Sequence, residues 1–326
     1  MKKLFLTFVF AIVATLTAMA QQISVVSTTG ATTLYRTLQE AIEGADPGSV
    51  IYLPGGGFPI SDEVKINKKL TIIGIGHKSN NDNADGNTTI NGNLFFSQGS
   101  DGSALMGCYM TGKVYIGYDG SSSFSVNDVV VRYCNLNSFY TDKTCKGTVL
   151  NQSYIRSDYE VYGSGEISNN IFYRLYGNPE SGLIIANNII TMSWSPGLQK
   201  ICNSTLINNI ILNSSSYSNI NQGNNNYCSG NMIFRSMVED ETPIDLTGID
   251  PNDVFVNYNG GNISLLSDFH FKEAYKQYEG KVGVYANDTD FDKQLAPVPH
   301  IVDKRVDEQT DASGKLNVKI RVKAGE

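Results

Sequence analysis

Three arginines and several carboxylates in the middle of the chain are the residues whose types could do chemistry together. Arg132, Arg156 and Arg174 recur at similar intervals, and acidic residues lie between them. Removing the proton next to a sugar carboxylate requires a base, such as arginine, and a Ca²⁺ ion held by carboxylates. The candidate catalytic residues for this reaction are Arg156, Asp158 and Glu160. Because no recognisable motif joins them, solvated residues on an outer face are the competing interpretation.

One loop carries the oxygen-rich side chains that a calcium ion prefers. Asp82 and Asp85 alternate with asparagines and precede Gly86, as oxygen ligands precede a glycine in calcium-binding loops. The acidic residue expected further along such a loop is replaced by Gly92. An ordinary polar turn is therefore the preferred interpretation. Asp82 and Asp85 remain the candidate metal ligands, and no cofactor is predicted.

Aromatic residues crowd into the same middle part of the chain. Their rings present flat apolar faces on which sugars can stack. Strand residues alternate between the two faces of a sheet, so inert packing is the alternative role for half of them. The candidate ligand-binding residues are Tyr154, Tyr173 and Trp194, and the predicted partner is a polysaccharide or a cell-envelope glycan. The whole set comprises Tyr133, Tyr140, Tyr154, Tyr159, Tyr162, Tyr173, Tyr176 and Trp194.

A sequence repeat predicts the elements that position these side chains. Pairs of asparagines between apolar residues share one frame, in which Asn170, Asn188, Asn209 and Asn231 match. Their period of about 20 residues is typical of solenoids, and about six consecutive coils can be followed. Asparagine tolerates a positive φ at a tight corner, and stacked amides can form a hydrogen-bonded ladder. The apolar residues beside each pair are expected to point into a narrow core.

Both ends of this solenoid have recognisable patterns. Thr37 and Glu40 form a capping box for a short amphipathic helix that covers the first coil and ends at Pro47-Gly48. At the other end, residues 316–322 alternate strictly between apolar and polar side chains and are expected to pair with residues 301–307. This hairpin would either cover the solenoid or serve as an attachment element.

The first coil, with Ile51-Tyr52-Leu53-Pro54 and Leu70-Thr71-Ile72-Ile73-Gly74, resembles the opening of the pectin-lyase-like right-handed parallel β-helix superfamily. Residues 249–255, 268–271 and 280–285 resemble its last coils. The resemblance implies an all-β, single-stranded right-handed parallel β-helix over residues 21–296, followed by a tail over residues 297–326. Members include polysaccharide lyases, glycoside hydrolases, esterases and adhesins, so the fold does not assign a function. The tail is similar to those of exported Bacteroidetes-type proteins.

The N-terminus predicts export. Lys2 and Lys3 precede an apolar run, and Ala18-Met19-Ala20 is typical of a cleavage site, so residues 1–20 are interpreted as a signal peptide. We expect a secreted protein in the extracellular space, at the cell surface or in the periplasm. No later apolar run is long enough to cross a bilayer. The formal net charge of −7 argues against nucleic acid as a partner, and the five cysteines favour buried thiols over a disulfide framework.

These patterns lead to three functional hypotheses. The first is a secreted or cell-surface β-helix protein that binds, and in one variant processes, an extracellular polysaccharide. The second is a non-catalytic structural or adhesive surface protein. The third is an atypical uronate polysaccharide lyase built around Arg156, which would be the first enzyme class to test.

Overall fold

A computed structural model describes residues 22–62, 64–77, 86–157, 159–191, 198–212, 221–222, 225–234, 240–258, 267–289, 291, 300–307, 309–310 and 313–323. These residues form a mostly β structure in which parallel sheets stack into a solenoid of about seven turns. The predicted parallel β-helix is therefore confirmed. The predicted signal peptide lies outside the described residues.

Successive coils of the solenoid contribute short strands to three sheets. Sheet 1 has 11 strands, which are Ile23–Val26, Thr32–Tyr35, Val50–Tyr52, Thr71–Ile73, Ala104–Met106, Val130–Arg132, Thr148–Asn151, Gly165–Ser168, Leu183–Ala186, Thr205–Ile207 and Tyr227–Ser229. Sheet 2 has 10 strands, which are Gly56–Pro59, Thr88–Asn91, Tyr109–Met110, Asn135–Leu136, Tyr154–Ile155, Ile171–Phe172, Ile189–Ile190, Ile210–Ile211, Met232–Ile233 and Ile244–Asp245. Sheet 3 has eight strands, which are Lys65–Ile66, Leu94–Phe96, Lys113–Ile116, Ser138–Thr141, Tyr159–Val161, Leu175–Tyr176, Leu198–Ile201 and Asn221–Gln222. The strand Ile23–Val26 is antiparallel to both of its neighbours, so it begins the stack as part of a hairpin that the sequence pattern did not predict.

In-register stacking builds the interior of the solenoid. Parallel pairing places equivalent residues of successive coils above one another at about 4.8 Å. On sheet 1 this produces a buried aliphatic column, because eight successive strands have an aliphatic residue at the same inward position. The column contains Ile51, Ile72, Leu105, Val131, Leu150, Ile167, Ile185 and Leu206.

A buried asparagine ladder follows sheet 1, as predicted. Asn170, Asn188, Asn209 and Asn231 are all inaccessible to solvent. The side-chain nitrogen of each donates to the side-chain oxygen of the next, at 3.1, 3.0 and 2.9 Å along the series. The last amide donates to the carboxylate of Asp240 at 2.6 Å. The ladder therefore ends on an acceptor and leaves no amide unpaired.

The left-handed corner belongs to the other asparagine of each pair. Asn169, Asn187 and Asn208 have φ values of 55°, 57° and 54°. The repeat suggested one role for both asparagines, but the structure gives each its own: the first asparagine of a pair turns the chain, and the second bonds to the neighbouring coil. Both uses exploit the short polar side chain.

The outer face of sheet 2 is apolar as well, which differs from the expectation that the flanking residues all face the core. Tyr154, Ile171, Ile189 and Ile210 lie on this outer face and belong to a second hydrophobic cluster. A segment that we call the strap, comprising residues 282–289 and 291, covers them. Four of its side chains, those of Val282, Val284, Ala286 and Phe291, are buried.

Hydrogen bonds hold the strap against the asparagine corners. The backbone N–H of Gly283 donates to the carbonyl of Asn208 at 2.9 Å, and the Asn169 amide donates to the carbonyl of Val284 at 3.3 Å. Gly283 has a φ of +71°, and a Cβ atom there would collide with the side chain of Ile210. Glycine therefore satisfies both the backbone conformation and the close approach.

The helix at the start of the solenoid spans Leu38–Gly44. Its capping box is confirmed: the Glu40 backbone N–H donates to the Thr37 hydroxyl at 3.1 Å, and the Thr37 N–H donates to the Glu40 carboxylate at 3.2 Å. Leu38, Ala41 and Ile42 pack into the main core. The amphipathic pattern of this segment is thus used to join the helix to the first coils.

The C-terminal part departs from the coil pattern. It contains the short helix Pro251–Val254, the antiparallel strands Phe255–Asn257 and Asp268–Phe271, and the 3-10 helices Glu273–Tyr278 and Gly283–Asp288. The predicted hairpin is formed by His300–Val306 and Val318–Lys323, and every side chain of the second strand is exposed. No helix within the described ranges is long and apolar enough to span a membrane. The five cysteines are unpaired, and all but Cys202 are buried.

Candidate functional site

The outer face of sheet 3 carries a column of aromatic residues. Parallel register aligns Phe95 with Tyr115, Tyr115 with Tyr140, Tyr140 with Glu160, and Glu160 with Tyr176. The neighbours of the column along each strand point inward, because strand side chains alternate between faces. Val114 and Ile116 flank Tyr115, and Phe139 and Thr141 flank Tyr140; all four are buried.

Two further tyrosines, Tyr118 and Tyr162, lie beside the column. We call Tyr115, Tyr118, Tyr140, Tyr162 and Tyr176 the tyrosine surface; all five side chains are half-buried. The ring centre of Tyr140 lies 5.8 Å from those of Tyr115 and Tyr118 and 5.7 Å from that of Tyr162. These separations are typical of favourable aromatic pairs. The rings therefore support one another while each keeps part of its surface accessible.

A cleft of about 310 Å³ opens at the lower end of the tyrosine surface. Its volume is at the small end of the range for ligand pockets. The cleft combines aromatic walls with two exposed lysines and a tight turn at one side. Its lining residues are Tyr140, Asp142, Lys143, Tyr162, Tyr176, Gly177, Asn178, Pro179 and Lys200.

Two carboxylates accompany the rings, and the structure uses them differently. Asp142 is 6% exposed, and its Oδ1 atom accepts hydrogen bonds from the Thr144 backbone N–H at 3.0 Å and hydroxyl at 2.8 Å. Burial raises the pKa of Asp142, but hydrogen bonds from Ser123 and Thr144 outweigh burial and lower that pKa overall. Asp142 is therefore a fixed anion that braces its turn. Glu160 lies on the column itself and accepts a hydrogen bond from the Tyr162 hydroxyl at 3.0 Å.

The phenols respond to burial and to these carboxylates. Burial, together with the charges of Asp142 and Glu160, raises the pKa of Tyr140 to about 12. Burial and the hydrogen bond to Glu160 raise the pKa of Tyr162 to about 12. Burial and nearby negative groups also raise the pKa of Tyr115. The phenols are thus neutral hydrogen-bond donors near pH 7, in a region of negative potential.

The predicted catalytic residues do not form one described site. Arg156 is half-buried next to sheet 2, where it donates to the Met110 carbonyl and its guanidinium carbon lies 4.4 Å from the ring centre of Tyr109. Glu160 lies on the outer face of sheet 3. Asp158 lies outside the described residues. The described contacts of Arg156 are thus with the strand Tyr109–Met110, two coils earlier.

The predicted ligand-binding residues have different surroundings. Tyr154 is only 2% exposed, and its ring contacts His77 and Phe291 at centre distances of 5.9 and 5.2 Å. This burial corrects the expectation for Tyr154, because the strap covers the outer face of sheet 2 and leaves that ring no surface for stacking. Tyr173 is half-buried beside Arg174, 5.8 Å from its guanidinium carbon. Trp194 lies outside the described residues.

The candidate metal ligands Asp82 and Asp85 also lie outside the described residues. Within the part of the chain that the structure describes, no three His, Cys, Asp or Glu side chains are grouped as a metal ion would require. The acidic residues near the tyrosine surface instead accept hydrogen bonds from protein groups. Asp119, for example, accepts from the backbone N–H groups of Ser121 and Ser122 at 2.9 and 2.8 Å.

Sequence reasoning identified the tyrosine-rich middle of the chain but missed Tyr115 and Tyr118. Extending the repeat frame into sheet 3 would have found Tyr115. Its buried neighbours Val114 and Ile116 align with the buried Phe139 and Thr141 beside Tyr140 in the next coil. Tyr118 lies after the end of its strand, where it forms an isolated bridge with Ser123 and the strand alternation no longer applies. Tyr118 joins the tyrosine surface because its ring centre lies 5.8 Å from that of Tyr140 on the next coil.

Comparisons with known proteins add no relative to this description. No protein family model matches the chain, no curated protein is similar in sequence, and no solved structure matches.

Proposed function

We propose that this chain is a secreted or cell-surface β-helix protein that binds an extracellular polysaccharide at the tyrosine surface. The observation that carries this proposal is the set of five half-exposed tyrosines gathered on one face of sheet 3, next to a cleft. A sugar ring has an apolar C–H face and a rim of hydroxyl groups. Aromatic faces match the first, and neutral phenols with nearby carboxylates match the second.

The arrangement along the stack supports a polymeric ligand. Tyr115, Tyr140 and Tyr176 lie on one line along the stack, in which neighbouring coils are about 4.8 Å apart; Tyr115 and Tyr140 are one coil apart, and Tyr140 and Tyr176 are two coils apart. A chain of sugars laid along that line can contact several rings at once, and each added contact lowers the dissociation rate. The rigid solenoid holds the rings in place before the ligand arrives, so little conformational entropy is lost on binding.

Export and superfamily membership are part of the same proposal. The basic start, apolar run and Ala18-Met19-Ala20 site favour a signal peptide, and an exported protein meets polysaccharides outside the cell. The first-coil resemblance favours a right-handed, pectin-lyase-like helix. Mass measurement of the protein recovered from its native host tests the first point, with Gln21 expected as the new N-terminus.

A binding experiment tests the proposed site. Native gel electrophoresis through a panel of soluble polysaccharides should show retardation of the wild-type protein by at least one polymer. Tyr140→Ala and Tyr176→Ala should each reduce the retardation, because each removes one stacking face. Tyr227→Ala is the matched control, since Tyr227 is 48% exposed on sheet 1. Equal retardation of all four proteins, or of none by any polymer, would contradict the proposed site.

A non-catalytic structural or adhesive role is the second candidate, and the exposed C-terminal hairpin favours it. Every side chain of Val318–Lys323 is exposed, including Val318, Ile320 and Val322, which are 54%, 51% and 58% accessible. Deleting residues 297–326 distinguishes attachment from capping. Lost surface retention with unchanged thermal stability supports attachment, whereas a large drop in melting temperature supports capping.

The third hypothesis, an atypical uronate lyase, has its own test. Each polymer that binds is incubated with the protein, and the absorbance of unsaturated products measures lyase activity.

A further inference from the structure

The charges on the tyrosine surface are not evenly distributed. Glu160 occupies the column position between Tyr140 and Tyr176, one coil from each. A ligand that stacks on both rings must therefore pass over this carboxylate. Glu160 accepts the Tyr162 hydroxyl with its Oε2 atom, and a carboxylate has about four acceptor sites, so it can accept further hydrogen bonds.

The positive groups lie at the margins of the surface. Lys65 lies 3.7 Å from the ring centre of Phe95, and Lys113 lies 5.4 Å from that of Tyr115, both at the upper end. The guanidinium carbon of Arg174 lies 5.4 Å from the ring centre of Tyr176. Lys143 adjoins Asp142, whose pKa its charge lowers, and Lys200 is exposed at the lower edge of the cleft. The centre of the column thus has a negative charge, with cations around it.

The pKa values of the tyrosines are consistent with this charge distribution. Burial is the largest cause of the raised pKa of Tyr115, Tyr140 and Tyr162, the charge of Glu160 adds to it at all three, and that of Asp142 adds to it at Tyr140. Phenols ionise less readily where another negative charge is unfavourable. A ligand carboxylate brought onto this column meets the same repulsion, whereas a neutral sugar hydroxyl is a donor that Glu160 can accept.

We infer that the tyrosine surface takes neutral polysaccharides with free hydroxyl groups and that Glu160 is the specificity residue that excludes polyuronates. This inference rests on the proposed function and adds the ligand class. Neighbouring sugar hydroxyls would donate to Glu160 while the sugar faces cover Tyr140 and Tyr176. A uronate unit would place two like charges together in a partly desolvated site, which is unfavourable unless a cation joins them.

A matched pair of polymers tests the inference. Polygalacturonate and the same polymer after reduction of its carboxyl groups differ only in that a neutral hydroxymethyl group replaces each carboxylate. Neutral glucans and mannans complete the panel. We expect wild-type protein to bind at least one neutral polymer about tenfold or more tightly than polygalacturonate, corresponding to a difference of about 1.4 kcal/mol. Glu160→Gln should narrow that ratio by several-fold, because it removes the charge and keeps the shape.

The control variant is Glu166→Gln, which removes an exposed carboxylate on the outer face of sheet 1. It should leave the ratio unchanged, and thermal unfolding should show that both variants fold. Equal or tighter binding of polygalacturonate by wild-type protein would overturn the inference. So would a ratio that Glu160→Gln does not change.

The two proposals fail in different ways. If Tyr140→Ala weakens binding but polygalacturonate is the preferred polymer, the proposed site stands and the neutral ligand class is wrong. If no polymer of either kind binds, the proposed function itself is wrong. If polymers bind but Tyr140→Ala and Tyr176→Ala bind them as wild type does, both proposals are wrong, because the binding surface lies elsewhere.

Discussion

Replacing Asn209 by alanine should strongly destabilise the solenoid, because this side chain makes four buried hydrogen bonds. Its Oδ1 atom accepts from the Asn188 backbone N–H at 2.9 Å and from the Asn188 amide at 3.0 Å. Its Nδ2 atom donates to the Ile185 carbonyl at 2.8 Å and to the Asn231 amide oxygen at 2.9 Å. Asn209 itself is inaccessible to solvent. Alanine can replace none of these bonds.

The size of the effect follows from which partners keep another bond. The Asn188 amide still donates to the Ile167 carbonyl, and the Asn231 amide oxygen still accepts from the Asn209 backbone N–H. The Asn188 N–H loses the bond that Asn209 provides, and the Ile185 carbonyl, which lies inside the strand pairing of sheet 1, loses the amide donor. A buried polar group left without a partner costs about 1–3 kcal/mol and a lost hydrogen bond about 0.5–1.5 kcal/mol, so the two effects together cost roughly 1.5–4.5 kcal/mol. This is a large part of the roughly 5–15 kcal/mol that stabilises a typical native protein.

Urea unfolding followed by circular dichroism measures the change in the free energy of unfolding. We expect the midpoint to fall by roughly 1 M or more, given typical slopes of about 1–3 kcal/mol per molar urea. Asn203→Gly is the control on the same coil, because Asn203 is exposed and its φ of 53° suits glycine. The control should stay within about 1 kcal/mol of wild type. If Asn209→Ala unfolds at the wild-type midpoint, the ladder does not stabilise the stack and the reasoning is refuted.

Three further predictions concern other parts of the chain. Gly283→Ala should loosen the strap, because the φ of +71° and the contact with Ile210 leave no room for a Cβ atom. Backbone hydrogen exchange in residues 189–211 should then accelerate, and unchanged exchange would contradict the role of the strap. Alkaline titration at 295 nm should show Tyr140 and Tyr162 ionising near their raised pKa values of about 12. The folded state keeps these protons more tightly than the unfolded chain, so their stabilising contribution should be complete below about pH 10 and should decline as the pH rises toward 12; a flat stability profile over that range would argue against it. A thiol reagent should modify Cys202 in the native protein and the four buried cysteines only after denaturation, whereas rapid native reaction of all of them would show that the core is open.

Local sequence patterns were sufficient for the solenoid, the helix Leu38–Gly44 and the tail hairpin, but not for the hairpin that begins sheet 1. The asparagine frame, the alternation of apolar residues and the capping box at Thr37 and Glu40 all describe interactions within a coil or between neighbouring coils. Such interactions repeat at a nearly constant separation along the chain, so a period in the sequence reports them directly. The hairpin of the tail followed from alternation alone, for the same reason.

The candidate site was only half predictable. The concentration of tyrosines was visible in the sequence, but the sequence does not show which of them are buried. Tyr154 is 2% exposed beneath the strap, whereas Tyr140 is half-exposed on sheet 3. The strap decides the first case, and its contact from Val284 to Asn169 spans 115 residues. The column of Tyr115, Tyr140, Glu160 and Tyr176 decides the second, through register between strands joined by turns of different length. Residue types therefore determined the solenoid, whereas packing between distant segments decided which rings face solvent, because burial depends on what covers a face and not on the strand that forms it.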